Sequence, residues 1–175
     1  MRLIIILHML FCVTLYAGMN DDIYTMLFEK YGESSKITHV NIKVDPGLKS
    51  IIEMKTGQKF FRDNLHCYKI LDANGNTYTG LLDNVYGKTL PITFLVVYDE
   101  TGKINDCFIV KYREPRGYGV KQQSWLNQFV GKDANSEFKV GSEIHGITGS
   151  TISVNSVARG IRKLSILYEK LKSEL

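Results

Sequence analysis

Ile92-Thr93-Phe94-Leu95-Val96-Val97-Tyr98 is an unbroken run of β-branched, aliphatic and aromatic residues. Such a run is strand-forming. Asp99-Glu100-Thr101-Gly102-Lys103 then turns the chain, and Ile104 to Tyr112 returns as a second strand. Both strands are apolar enough that at least one face must be covered. Upstream, Cys67 to Leu71 and Tyr78 to Leu82 flank Asp72-Ala73-Asn74-Gly75-Asn76, where Asn-Gly is a strong hairpin signal. Val40-Asn41-Ile42-Lys43-Val44 alternates apolar and polar residues and reads as a further strand. Strands therefore fill the middle of the chain.

Helices lie at the two ends. Asn20-Asp21-Asp22 offers an N-cap and early negative charge to Ile23, Met26, Leu27 and Tyr31, and Gly32 ends that helix. Asp45-Pro46-Gly47 starts a short helix bearing Leu48, Ile51, Ile52 and Met54. Pro115, Gly117 and Gly119 break the pattern after the β unit, and a helix is expected from Val120 to Phe129, stopping at Gly131. Val154, Val157, Ile161, Leu164, Tyr168 and Leu171 then recur at steps of three and four, one stripe of a long terminal helix. Ser153 can cap its start, with Lys170 and Lys172 near its negative end. The class is α+β, with one domain over residues 18–175.

Length and composition agree. A chain of 175 residues has room for one core, and 44% hydrophobic with 23% charged residues is ordinary for a folded protein. The net charge of +4 is mild and its lysines are interspersed with acids, so nucleic-acid binding gains no support. Residues 1–17 differ. Met1-Arg2 precedes an almost wholly apolar stretch from Leu3 to Ala17, which reads as a secretory signal cut after Ala17 or as an N-terminal anchor. Met9, Leu10 and Phe11 lack the small residue expected before a lipidated Cys12. The expected location is accordingly outside the cytoplasm, periplasmic or on the outer face of the cytoplasmic membrane. Cys67 and Cys107 remain after the leader, and sequence leaves open whether they pair. No CxxC or His/Cys cluster suggests a metal site.

Common catalytic arrangements are missing as well: no GxSxG elbow, P-loop or GxGxxG occurs. What stands out is Ile144-His145-Gly146-Ile147-Thr148-Gly149-Ser150-Thr151-Ile152-Ser153, just before the final helix. Gly146 and Gly149 allow close backbone approach, and Thr148, Ser150, Thr151 and Ser153 supply hydroxyls. The helix beyond aims unpaired N–H groups and a partial positive charge at this stretch, which suits a phosphate. The plain alternative is that Ser and Thr here simply cap the helix.

Thr148-Gly149-Ser150-Thr151 resembles the Ser/Thr-Gly-Ala-Thr core of FMN-binding domains, the family that includes the FMN subunits of Rnf and sodium-pumping NADH:quinone reductase complexes. Glu114-Pro115-Arg116-Gly117-Tyr118-Gly119 resembles the family's Glu-Thr-Pro-Gly-Leu-Gly segment, and Trp125 to Lys132 its Phe-x-x-Gln-Phe-x-Gly-Lys helix end. Tyr98 to Ile104 is similar to the family's strand–turn–strand, and Tyr86-Gly87 takes the place of a glycine segment near the flavin. The similarity runs from about Tyr68 to Leu171. It implies an antiparallel, half-barrel-like sheet with flanking helices and FMN as cofactor. It also implies a phosphoester from FMN to Thr151, installed by a flavin transferase, and a membrane electron-transfer complex or other redox partner. Gly149, Thr148, Ser150 and Ser153 would surround the phosphate. Glu114, Tyr118, Gly119 and Gly87 would lie near the ring.

Two positions depart from the family pattern. His145 stands where the family has Asp, and Ser150 where it has Ala. A group that is neutral or cationic in place of a carboxylate bears on how a transferase would position its substrate. His145 either helps neutralise the phosphate of a non-covalent FMN or is a loop residue satisfied through its backbone. Glu114 has a dull alternative as a solvated loop acid, and Tyr118 as an aromatic tucked against Trp125. Three functions follow from this reading: an exported FMN electron carrier, a small flavin reductase with non-covalent FMN, or a cofactor-free scaffold that lost the site.

Overall fold

The computed structural model describes residues 18–175; the expected leader over residues 1–17, Cys12 included, lies outside them. The elements are α1 (Met19–Tyr31), β1 (Lys36–Lys43), α2 (Pro46–Thr56), β2 (Asn64–Leu71), β3 (Thr77–Tyr86), β4 (Pro91–Asp99), β5 (Ile104–Tyr112), α3 (Gln123–Leu126) and α4 (Thr151–Leu171). All pairings within the sheet are antiparallel and the strand order is β1-β2-β3-β4-β5, an open meander. This is the α+β, single-sheet arrangement with a long C-terminal helix that the sequence predicts.

Strand periodicity explains the layers. On β4, Ile92, Phe94, Val96 and Tyr98 join the core beneath α4, while Leu95 and Val97 point the other way and pack with Ile23 and Leu27 of α1. Successive side chains on a strand alternate faces, so an apolar run with no polar alternation needs cover on both. The sheet has it.

α4 lies close on the sheet. A Cβ on Gly160 would fall 2.6 Å from Val85 Cγ1 and 2.8 Å from Phe94 Cζ, so glycine permits this approach. Three residues on, Lys163 is wholly buried, its ammonium 2.7 Å from Asp83 Oδ2 on β3. That approach is an ion pair and not an aligned hydrogen bond. The same ammonium donates to the Lys59 carbonyl at 2.7 Å and lies over the Phe60 ring. Burial pulls the Lys163 pKa down, against the opposing pull of Asp83.

The register also decides the cysteines. Val40, Cys67, Leu81, Val96 and Cys107 form one row across the sheet. Cys67 and Cys107 are thus three strand spacings apart, about 14 Å, too far for a bridge. Both are free and buried.

Four local details differ from the expectations. The first helix begins at Met19 with Gly18 at its N-cap, so Asn20 lies inside the first turn and does not cap it. Instead of one helix, residues 118–129 form a 3-10 turn at Tyr118–Lys121, the short α3 and a second 3-10 turn at Asn127–Phe129. Gln122 breaks the path by adopting an extended conformation, φ −68° and ψ 126°. On α2, Ile52 is buried but Ile51 and Met54 are exposed. At α4, the helix begins at Thr151, so Ser153 lies inside its first turn and does not cap it.

Candidate functional site

The site forms where three segments meet at the N-terminal end of α4. The β3–β4 turn brings Lys88 and Thr89, the segment after β5 brings Glu114 to Gly117, and the start of α4 brings Gly149 to Ser153. Between them lies a cleft of about 520 Å³.

Each segment is held in place by named contacts. At the end of β5, successive residues reach in different directions. Tyr112 donates its hydroxyl to the Arg116 carbonyl at 2.5 Å and lies 3.1 Å from Ser153 Oγ. Arg113 donates to the Pro91 carbonyl and to Thr93 Oγ1. Glu114 accepts from the Thr89 and Leu90 amides, at 2.6 and 2.8 Å, and from the Thr89 hydroxyl at 3.0 Å. Donation by the Leu90 and then the Thr89 amide holds the Glu114 carboxyl below its usual value. It is not a solvated acid; it ties the β3–β4 turn to the end of β5.

Two glycines make this possible. A Cβ on Gly87 would meet Glu114 Oε1 at 2.6 Å. Gly117 has φ 85°, and a Cβ there would meet the Tyr112 hydroxyl at 2.6 Å and the Ser150 and Ser153 hydroxyl oxygens at 3.4 Å.

At the mouth of α4, Gly149 adopts φ 77° and Ser150 occupies the N-cap position without a side-chain cap hydrogen bond. The plain capping role of Ser150 is therefore not observed. The first amides of the helix stay free to face an anion. Thr151 is the first helical residue and is exposed, so its hydroxyl is accessible from the cleft.

Of the residues singled out in the sequence, the cleft lining gathers Gly149, Ser150, Thr151, Ser153 and Glu114. Gly87 supports it from behind Glu114. Thr148 is exposed outside the lining. Tyr118 is 59% exposed and packs against Tyr112 with ring centroids 5.4 Å apart, not against Trp125. Gly119 faces Ile147, whose Cγ2 lies 2.9 Å from where a Cβ would be. His145 is exposed and does not line the cleft. Its backbone is clamped from both sides, by Gln128 Oε1 accepting its amide at 2.7 Å and Trp125 Nε1 donating to its carbonyl at 2.9 Å.

Sequence reasoning passed over Lys88, Thr89 and the charge of Arg116. All three line the cleft. Two cations, free helix amides and four hydroxyl side chains beside a cradle that two Cβ-free positions keep open fit the phosphate end of a nucleotide. Among the described residues no three His, Cys, Asp or Glu side chains gather to hold a metal ion, and no helix is long and apolar enough to cross a membrane.

Comparison with known proteins agrees with this geometry. Residues 87–165, from the glycine behind Glu114 to the middle of α4, match the family model of the FMN-binding domain. Over 79 residues the chain is 35% identical to a subunit of the Na(+)-translocating ferredoxin:NAD(+) oxidoreductase complex of Acetobacterium woodii. That match covers 40% of this chain and 38% of the relative, so the chain spans well under two thirds of that protein's length. Over residues 87–165 the chain thus resembles the FMN-binding domains of Rnf-type subunits, and its cofactor is FMN.

Proposed function

We propose that this chain is an exported electron carrier whose FMN is joined through its phosphate to Thr151. One observation supports the attachment above others: Thr151 presents an exposed hydroxyl on the first turn of α4, in the cleft that Lys88 and Arg116 line. The new bond would run from Thr151 Oγ1 to phosphorus, with loss of the hydroxyl proton and departure of a leaving group from an activated flavin nucleotide. A flavin transferase is the partner for that step. Free helix amides and the two cations would hold the phosphate while the bond forms. When bound, FMN supplies one- or two-electron chemistry, and the protein fixes its position and surroundings. The relative's name supports a membrane electron-transfer complex as redox partner. The apolar stretch of residues 1–17 supports a leader or anchor ahead of a mature domain at 18–175, outside the cytoplasmic membrane.

Mass spectrometry of the native protein tests the attachment. An FMN-sized addition on the peptide spanning Thr148 to Ser153, absent from Thr151→Ala, is expected. Flavin released completely on denaturation would overturn the tether. It would favour a second reading, a small flavin reductase with non-covalent FMN. The observation favouring that alternative is His145, which replaces the family's Asp and lies outside the cleft lining.

A further inference from the structure

A second basic cleft lies on another face of α4. It is bounded by the end of α2, the segment before the α4 loop, and α4 itself, and its volume is about 470 Å³. Thr56, Glu137, Lys139, Asn155, Arg159 and Arg162 contribute its polar groups. None of its lining residues lines the FMN cleft.

Three features single it out. Its three cations face one carboxylate, that of Glu137, and none of Lys139, Arg159 and Arg162 joins any ion pair among the described residues. The Nε of Arg162 is buried without a hydrogen-bond partner. A buried donor on a cationic group is costly to leave unpaired, and the matching acceptor is an oxyanion. Arg159 and Arg162 are also three positions apart on one helix, so their guanidinium groups rise from neighbouring points of the same face. Planar guanidinium groups bind phosphate through paired N–H donors, and an ammonium adds a point charge.

We propose that this cleft binds a small phosphate-bearing ligand, inorganic phosphate or a phosphate monoester, separately from FMN. The volume lies within the range of small-molecule sites. Arg162, which lines the cleft, would anchor the phosphate through its terminal guanidinium N–H groups, with Arg159 and Lys139 closing on the remaining oxygens.

Calorimetric titration of inorganic phosphate into the full, flavin-carrying chain tests this. Saturable binding is expected. Arg162→Gln and Arg159→Gln should each weaken it about tenfold, the scale of a lost charge-assisted hydrogen bond. Lys69→Gln, a change of surface charge on β2, should leave it unaltered. Arg159 is exposed, so its variant keeps the test open if Arg162→Gln fails to fold. Flavin content read from visible absorbance in the same samples keeps the fate of the FMN assignment distinct. Absence of saturable phosphate binding, or binding by both arginine variants as tight as by the unaltered chain, would overturn the proposal. So would arginine-dependent sedimentation with phosphatidylglycerol vesicles in a chain that does not bind free phosphate, since the surface would then belong to a lipid bilayer.

Discussion

The Tyr112 hydroxyl lies 3.1 Å from Ser153 Oγ and so joins the last residue of β5 to the first turn of α4. The same oxygen donates to the Arg116 carbonyl, which shapes the turn that carries Arg116 and Gly117 into the cleft. One phenol therefore sets the distance between two walls of the candidate site. Tyr112→Phe removes these bonds while keeping the ring. A loss of about 1 kcal/mol in stability is expected, together with a lower flavin-to-protein ratio. Thermal melts and absorbance spectra of the variant check both.

Glu114 and Gly87 should behave as one unit. Gly87→Ala places a methyl group where the Glu114 carboxylate now sits, and the resulting overpacking is expected to cost about 1–3 kcal/mol. Denaturant unfolding measures it. Loss of flavin should accompany the loss of stability, since the displaced carboxylate releases Thr89 and Leu90.

The same carboxylate gives the fold a pH dependence of definite sign. The Leu90 and Thr89 amides hold its pKa below the unfolded-state value. The stabilisation is therefore present above the unfolded-state pKa and is lost as pH falls through the lower, folded-state value. Glu114→Gln should flatten the acid side of the stability curve. Unfolding midpoints measured from neutral to acid pH, for both proteins, would show whether that arm disappears.

On the proposed attachment, a Thr151→Ala chain can bind FMN only non-covalently. Lys88→Gln and Arg116→Gln are each expected to weaken that binding about tenfold, with a shallower dependence on salt. Fluorescence titration with free FMN reads the change. Affinity unchanged from the Thr151→Ala parent in both variants would remove these residues from the proposed phosphate site.

The buried Lys163–Asp83 pair provides a separate check on the core. Asp83→Asn leaves a buried ammonium without its counter-charge, and a cost of about 3–5 kcal/mol is expected. Lys163→Met combined with Asp83→Leu should recover much of that loss. Chemical denaturation of both variants tests the sign.

Much of this was legible in the residues. The β4 run, the Asn74-Gly75 hairpin and the α4 stripe carry periodicity that tertiary packing had no reason to override. The cover on both faces of β4 was less legible, because one apolar run looks the same under one helix or two. Residues 118–129 misled because apolar spacing does not reveal that Gln122 turns extended. Ile51 and Met54 misled for a related reason: an apolar side chain carries no label saying that it faces inward. At the site, Thr151 and its hydroxyl neighbours were readable from their place before a helix. Lys88 and Thr89 were not, because β3–β4 pairing brings them there across a long stretch of chain. Cys67 and Cys107 needed the strand register itself.

Residues 87–165 carry the family match, yet of the five strands they contain only β4 and β5. β3 pairs with β4 along its length, and Ile23 and Leu27 cover the far side of Leu95 and Val97. Excised at its matched limits, the segment would present a long naked β4 flank with unpaired amides and carbonyls, a template for sticking to other molecules. Residues 18–86 are thus the other flank of the flavin module, and any fragment meant to hold the cofactor must keep them.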